Sequence, residues 1–156
     1  MIKNTIIEEL KNTINIKKEM VAKENEKEEL KKIALLPENV AKREMEKINR
    51  EFNIKISNLL FELNKNINKE TWSKNFQVET YFPMSTSTSD EATEIVVSNL
   101  KDKIKFIQNE LIDYIKFDVL YEKENIYEDD CDDFGWGGSN LLHSYNNVIV
   151  KVSISF

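Results

Sequence analysis

Residues 37–70 carry the clearest periodic signal in the chain. Apolar side chains recur at Ala41, Met45, Ile48, Phe52, Ile56, Leu59, Leu63 and Ile67. The steps of three and four are the period of a helix with one buried face. Pro37 suits the first helical turn, where its missing N–H is no loss, and Glu38 suits the positive end of the helix dipole. Upstream, residues 5–33 predict another helix. Thr5-Ile6-Ile7-Glu8 fits a capping box, and Ile6, Leu10, Ile14 and Met20 or Val21 form a stripe. The stripe disappears from Lys23 to Glu29, where the helix is polar all round and is expected to face solvent. At 1.5 Å per residue, residues 37–70 span about 50 Å. A globule of this length is about 40 Å across. The two helices turn at Ile33-Ala34-Leu35-Leu36-Pro37 and are expected to form a hairpin that projects, unless one of them breaks.

Downstream the period changes to two. Phe76, Val78, Thr80 and Phe82 alternate with Gln77, Glu79 and Tyr81 and predict a strand over 76–82. A polar loop follows from Pro83 to Ser89. Thr88-Ser89-Asp90-Glu91 offers a second capping box, and a helix to about Tyr114 follows on Ala92, Val96, Leu100, Ile104, Ile107 and Leu111, broadened by Ile95 and Ile112. Alternation returns at 115–122 and at 147–156. Between them, 123–146 reads as a long connection, acidic and then Gly-rich. Loops of that length inside a compact domain are usually functional or unstructured. The expected fold is α+β: a helical hairpin arm over 1–71, then a β-α-β-β domain over 72–156. Its three-stranded sheet is at least partly antiparallel. The strands at 115–122 and 147–156 are expected to be antiparallel neighbours, and the helical crossover leads from the strand at 76–82.

Composition narrows the function classes. Only three glycines occur, at 135, 137 and 138. No phosphate-binding glycine loop can therefore exist before residue 135, which removes P-loop and dinucleotide-binding readings. A single cysteine, Cys131, makes no internal disulfide and suits a reducing, cytoplasmic setting. No run approaches the length of a membrane span, and two early acids argue against a signal peptide. Lys, Ile and Asn, all with AT-rich codons, make up 56 of 156 residues. That bias suits an AT-rich bacterium or a phage or mobile element within one.

Charge is placed unevenly. Residues 1–75 carry 16 basic and 13 acidic side chains; residues 76–156 carry 6 and 15. Between 118 and 133, eight acids face only Lys123. Such a field repels nucleic acid and attracts cations or a basic protein surface.

The densest acids, Glu128, Asp129, Asp130, Asp132 and Asp133, form one candidate site. They do not read as a calcium loop. With Asp130 first and Asp132 third, the fifth and twelfth positions are Phe134 and Leu141, which lack oxygen ligands. The glycines beside Phe134 and Trp136 would let the backbone approach a partner closely, and tryptophan is enriched where interfaces concentrate their energy; alternatively Trp136 tucks into the core. Asp133-Phe134-Gly135 matches a kinase tripeptide without any other kinase element. His143 and Cys131 could meet in one loop, but the acids around the thiol suppress its thiolate. Leu35 and Leu36 form a second candidate site if the hairpin tip is exposed. The basic residues of the arm are offset by interleaved acids and lack stacking aromatics, so phosphate contact is not expected.

The sequence therefore predicts a non-catalytic, acidic protein-binding module that needs no cofactor or metal. Its partner presents a basic protein surface, and neither nucleic acid nor membrane is expected to bind. Its concrete form is a mobile-element or phage-type inhibitor of host machinery, anti-defence or immunity-type, acting in part by mimicking nucleic-acid charge. Two alternatives stand beside it: an assembly protein that oligomerises through the helical hairpin, and a metal-dependent hydrolase built on the acidic loop.

Overall fold

The computed structural model describes residues 2–111, 115–129 and 139–156. The order of elements is α1 (Ile2–Ala34), α2 (Pro37–Lys69), β1 (Asn75–Pro83), α3 (Asp90–Glu110), β2 (Ile115–Asp129) and β3 (Ser139–Ser155). The protein is α+β. Two long N-terminal helices joined as a hairpin precede a β-α-β-β unit with a three-stranded antiparallel sheet. The strand order is β1-β3-β2. β3 runs antiparallel to both neighbours, so β1 and β2 are parallel to each other and α3 is the crossover between them.

The helical period of α2 is realised as packing. Ala41, Ile48, Phe52, Ile56, Leu59 and Leu63 are buried, while Met45 and Ile67 are half-buried at the margin. One apolar cluster joins this face to Ala92, Val96, Leu100 and Ile104 of α3 and to Phe76, Val78, Phe82, Val119, Val148, Val150 and Val152 of the sheet. The core thus extends across residue 71, with α2 as one of its walls. Phe52 lies at its centre, stacked on Phe82 with ring centroids 6.4 Å apart.

One buried position on α2 is not apolar. Glu44 is 4% exposed and accepts hydrogen bonds from Ser85 (2.6 Å), Lys47 (3.0 Å) and Thr88 (3.3 Å). This contact explains a shift at the start of α3. Thr88 was the expected cap, but its hydroxyl is turned to Glu44. Ser89 caps instead, accepting from the Ala92 N–H at 3.2 Å. The helix then ends at Glu110, short of the expected Tyr114; Ile112 and Tyr114 lie outside the described residues.

The stripe of α1 has a different fate. Every described side chain from Thr5 to Ile33 is exposed, and among the described elements α1 meets α2 alone. Its larger apolar side chains are 44% to 59% exposed. The turn itself is well made. Asn39 and Arg43 of α2 donate to the Ile33 and Ala34 carbonyls at 2.7 and 2.8 Å, satisfying acceptors that a helix end otherwise leaves unpaired.

The largest departure from the sequence reading concerns 123–146. β2 continues to Asp129 and β3 begins at Ser139, so most of the expected connection is strand. The two form a ribbon that runs past the end of β1, whose last pair is Pro83 with Asn147. A bulge at the step from Ile126 to Tyr127, where β3 carries Leu142 as an extra residue, reverses the alternation there.

Candidate partner-binding surface

The helices cover one face of the sheet. The other face carries Gln77, Glu79 and Tyr81 from β1, Lys116, Asp118, Leu120, Glu122 and Glu124 from β2, and Tyr145, Asn147, Ile149, Lys151 and Ser153 from β3, as the pairing register requires. Ile149 is buried between Tyr81 and Leu120, its cross-strand neighbours. Around it Glu79, Asp118, Glu122 and Glu124 outnumber Lys116 and Lys151, so the surface is net acidic. Lys151 meets Glu79 at 3.7 Å, while Glu122 and Glu124 have no such cation among the described ion pairs.

Glu124 organises the base of the ribbon. It accepts from Asn147 Nδ2 at 2.5 Å and from the Tyr145 hydroxyl at 2.7 Å. These bonds hold its carboxyl below the usual carboxylate range, with Asn147 the larger cause, and they raise the Tyr145 phenol in return. Tyr81 donates to Glu79 and is also raised, first by that bond, then by desolvation and by the charges of Glu79, Glu122 and Glu124. Glu124 therefore stays ionised and the two phenols stay neutral across the physiological range.

The ribbon is anchored on the helix side too. Asn146 is buried and donates to Asp90 Oδ1 (2.9 Å) and Thr93 Oγ1 (2.8 Å), and its backbone carbonyl accepts from Met84 N–H at 2.8 Å. Lys123 reaches Asp90 at 3.4 Å. Asp90 is lowered below its ordinary pKa, chiefly by Asn146 and then by Lys123. Beyond these ties the ribbon is open: Ile126, Tyr127, Leu141 and Leu142 are all exposed.

The sequence-predicted residues fall in three groups. Leu35 and Leu36 sit at the turn between α1 and α2, 71% and 48% exposed, so the tip does not pack back. Glu128 and Asp129 end β2, paired with Asn140 and Ser139. Asp130, Asp132, Asp133, Phe134 and Trp136 lie outside the described residues, as do Cys131 and the glycines. Among the described elements α1 has no contact with β2 or β3.

Comparison with known proteins returns no matching family model, no similar curated protein and no similar solved structure. The functional reading rests on this geometry. The sequence marked Asp118, Glu122 and Glu124 within the acidic run of 118–133; what it did not show is that they share one sheet face with Glu79 of β1, a placement that only the register supplies. Sequence reasoning passed over Trp72, 95% exposed in the link between α2 and β1; an isolated tryptophan gives no periodic signal of its own. Among the described residues no group of three or more acidic, histidine or cysteine side chains converges as a metal site, and no helix is long and apolar enough to cross a membrane.

Proposed function

We propose that this chain is a non-catalytic protein-binding module that engages a basic protein surface through its acidic ribbon. The observation that carries this reading is the continuity of charge. The anionic sheet face at Glu122 and Glu124 leads along β2 to Glu128 and Asp129, and the sequence adds Asp130, Asp132 and Asp133 directly after. Exposed Ile126, Tyr127, Leu141 and Leu142 supply apolar contact beside that charge, the combination of anchor and polar rim found in interfaces. The function that suits it is inhibition of a host protein in the cytoplasm, of the anti-defence or immunity type, with the acidic surface occupying a groove otherwise used by nucleic acid.

Reversal of Asp129, Asp130, Asp132 and Asp133 to Lys is expected to abolish capture of the partner from an extract of the native host, read by pull-down and mass spectrometry. Capture by the unaltered chain should weaken steeply with added salt. Undiminished capture by the reversed chain at low salt would remove the acidic end of the ribbon from the site.

A second reading is favoured by α1. From Ile6 to Val21, its residues Ile6, Ile7, Leu10, Ile14 and Val21 share one side of a helix and are all exposed. A helix of this kind gains stability by pairing with another, so α1 would join copies of the chain into an assembly. Light scattering should then show an oligomer at about 100 μM that the double substitution Leu10→Asp, Ile14→Asp returns to monomer, because a charge in an apolar seam is costly. A monomeric wild-type chain under those conditions would exclude assembly through α1.

A further inference from the structure

Among the described residues the sheet has three stretches of unpaired edge, and they differ in chemistry. The outer edge of β2 is crowded with charge: seven of its fifteen residues, Ile115–Asp129, are Lys, Asp or Glu. Charged side chains along an edge deter the addition of another strand. The outer edge of β1 is blunted differently, since Lys55 of α2 donates to the Tyr81 carbonyl at 2.7 Å. The third stretch is the side of β3 left open where β1 stops. The segment Ser139–Asn146 carries no Lys, Arg, Asp, Glu or Pro at all, and its Leu141 and Leu142 are exposed.

Among the described residues the backbone on that side of β3 before Asn146 has no strand partner. The Asn146 carbonyl points toward β1's side, where it meets Met84 N–H. Ser144, two residues along an unbroken register, directs its own N–H and C=O the same way. Among the described residues no strand lies there. A two-stranded ribbon is only marginally stable by itself, and a third strand would complete it.

We propose that the open side of β3 at Ser144 takes an added strand from a basic protein partner, laid in line with β1. This rests on the protein-binding reading above and names its mode: main-chain pairing supplies affinity while alternate side chains supply specificity. The occupant is cationic because of what lies across the ribbon. Strands are spaced about 4.8 Å apart, so a lysine placed opposite Tyr145 on the added strand starts about 10 Å from Glu124, the partner of Tyr145 on β2, a gap its long side chain closes. A second copy of this chain is disfavoured by the same charges, which would be set against their own kind.

The test uses the full chain and a defined probe, an acetylated and amidated Lys-Val repeat peptide of about eight residues. A matched peptide carries N-methyl groups on alternate backbone amides, which keeps its charge and side chains but removes strand donors. The plain peptide is expected to bind and to slow hydrogen exchange at the Ser144 amide by about tenfold or more, and the N-methylated one to bind about tenfold more weakly. Ser144→Pro removes the same edge donor without touching a bond to β2, and should weaken the peptide comparably at an unchanged melting temperature. If that variant loses its fold, the pair of peptides decides alone on the unaltered chain. Equal binding of both peptides would overturn strand addition while leaving recognition of basic surfaces in place. Absence of binding by either would overturn it too, with the charge-reversal capture experiment deciding the broader reading separately. Ser144 protection that grows with protein concentration and no peptide would assign the edge to a second copy and overturn the basic partner.

Discussion

Phe52→Ala is expected to remove about 3–5 kcal/mol of folding stability, the cost of emptying a buried aromatic site. Phe52 is buried at the junction of three elements. Its ring stacks on Phe82 of β1, Lys103 of α3 lies over it at 4.4 Å, and the rest of the α2 stripe continues on either side. The valines and leucines of the same apolar cluster are themselves buried. Domains of this kind hold about 5–15 kcal/mol in total, so the variant should unfold at a much lower urea concentration. Phe61→Ala on the same helix is the control. Phe61 is 69% exposed, and its loss should change stability by no more than about 0.5 kcal/mol. Equal effects of the two substitutions in urea titrations would mean that α2 does not pack through the face described.

Glu44→Ala is the second large effect, at about 3 kcal/mol, because it strips the acceptor from three donors at a buried site. Ser85 and Thr88 belong to the loop between β1 and α3, so the carboxylate ties that loop to α2. Burial by itself would raise the Glu44 pKa. The hydrogen bond from Ser85, followed by the bond and charge of Lys47 and the bond from Thr88, outweighs burial and leaves the group below its ordinary value. The sign follows directly. A carboxyl that ionises more readily when folded stabilises the fold above its unfolded pKa of about 4.3, and that contribution fades as pH falls through the folded value. Glu44→Gln should therefore be less stable than wild type near neutrality, with the gap narrowing below about pH 4. A gap that stays constant between about pH 6 and pH 3 in thermal melts would show that the charge is not what matters.

Much of the fold was legible because its periods are long and uninterrupted. The α2 stripe at steps of three and four, and the alternation of Val148, Val150 and Val152, each specify one buried face, and both are buried. The crossover helix and the antiparallel pairing of β2 with β3 followed from the order of elements. Three features were not legible, each for a physical reason. The α1 stripe announces an amphipathic helix, but a stripe does not say what covers it, and here α2 does not. Glu44 falls at a core position, where a carboxylate reads as solvent-facing until the hydroxyls of Ser85 and Thr88, about forty residues away, are seen to meet it. The ribbon over 123–129 and 139–146 was hidden by its acids and by the extra residue at Leu142, which breaks the two-residue period. Asp130, Asp132 and Asp133 of the acidic candidate site lie outside the described residues, whereas the grouping of Glu122 and Glu124 with Glu79 on one face came from the register.

The strand order also has a consequence for how the chain acquires its fold. β3 is the middle of the sheet yet follows both β1 and β2 in sequence. Its two neighbours never touch each other, so no native sheet hydrogen bond can form until β3 is available. The pairing of Asn75 with Ser155 then closes a loop of most of the domain. Helices can assemble early from local contacts, but the sheet waits on its most distant partner, the topology that slows folding. During synthesis the apolar faces of α2 and α3 are finished well before the surface that covers them, and that interval is when such faces are most exposed to aggregation or to a chaperone.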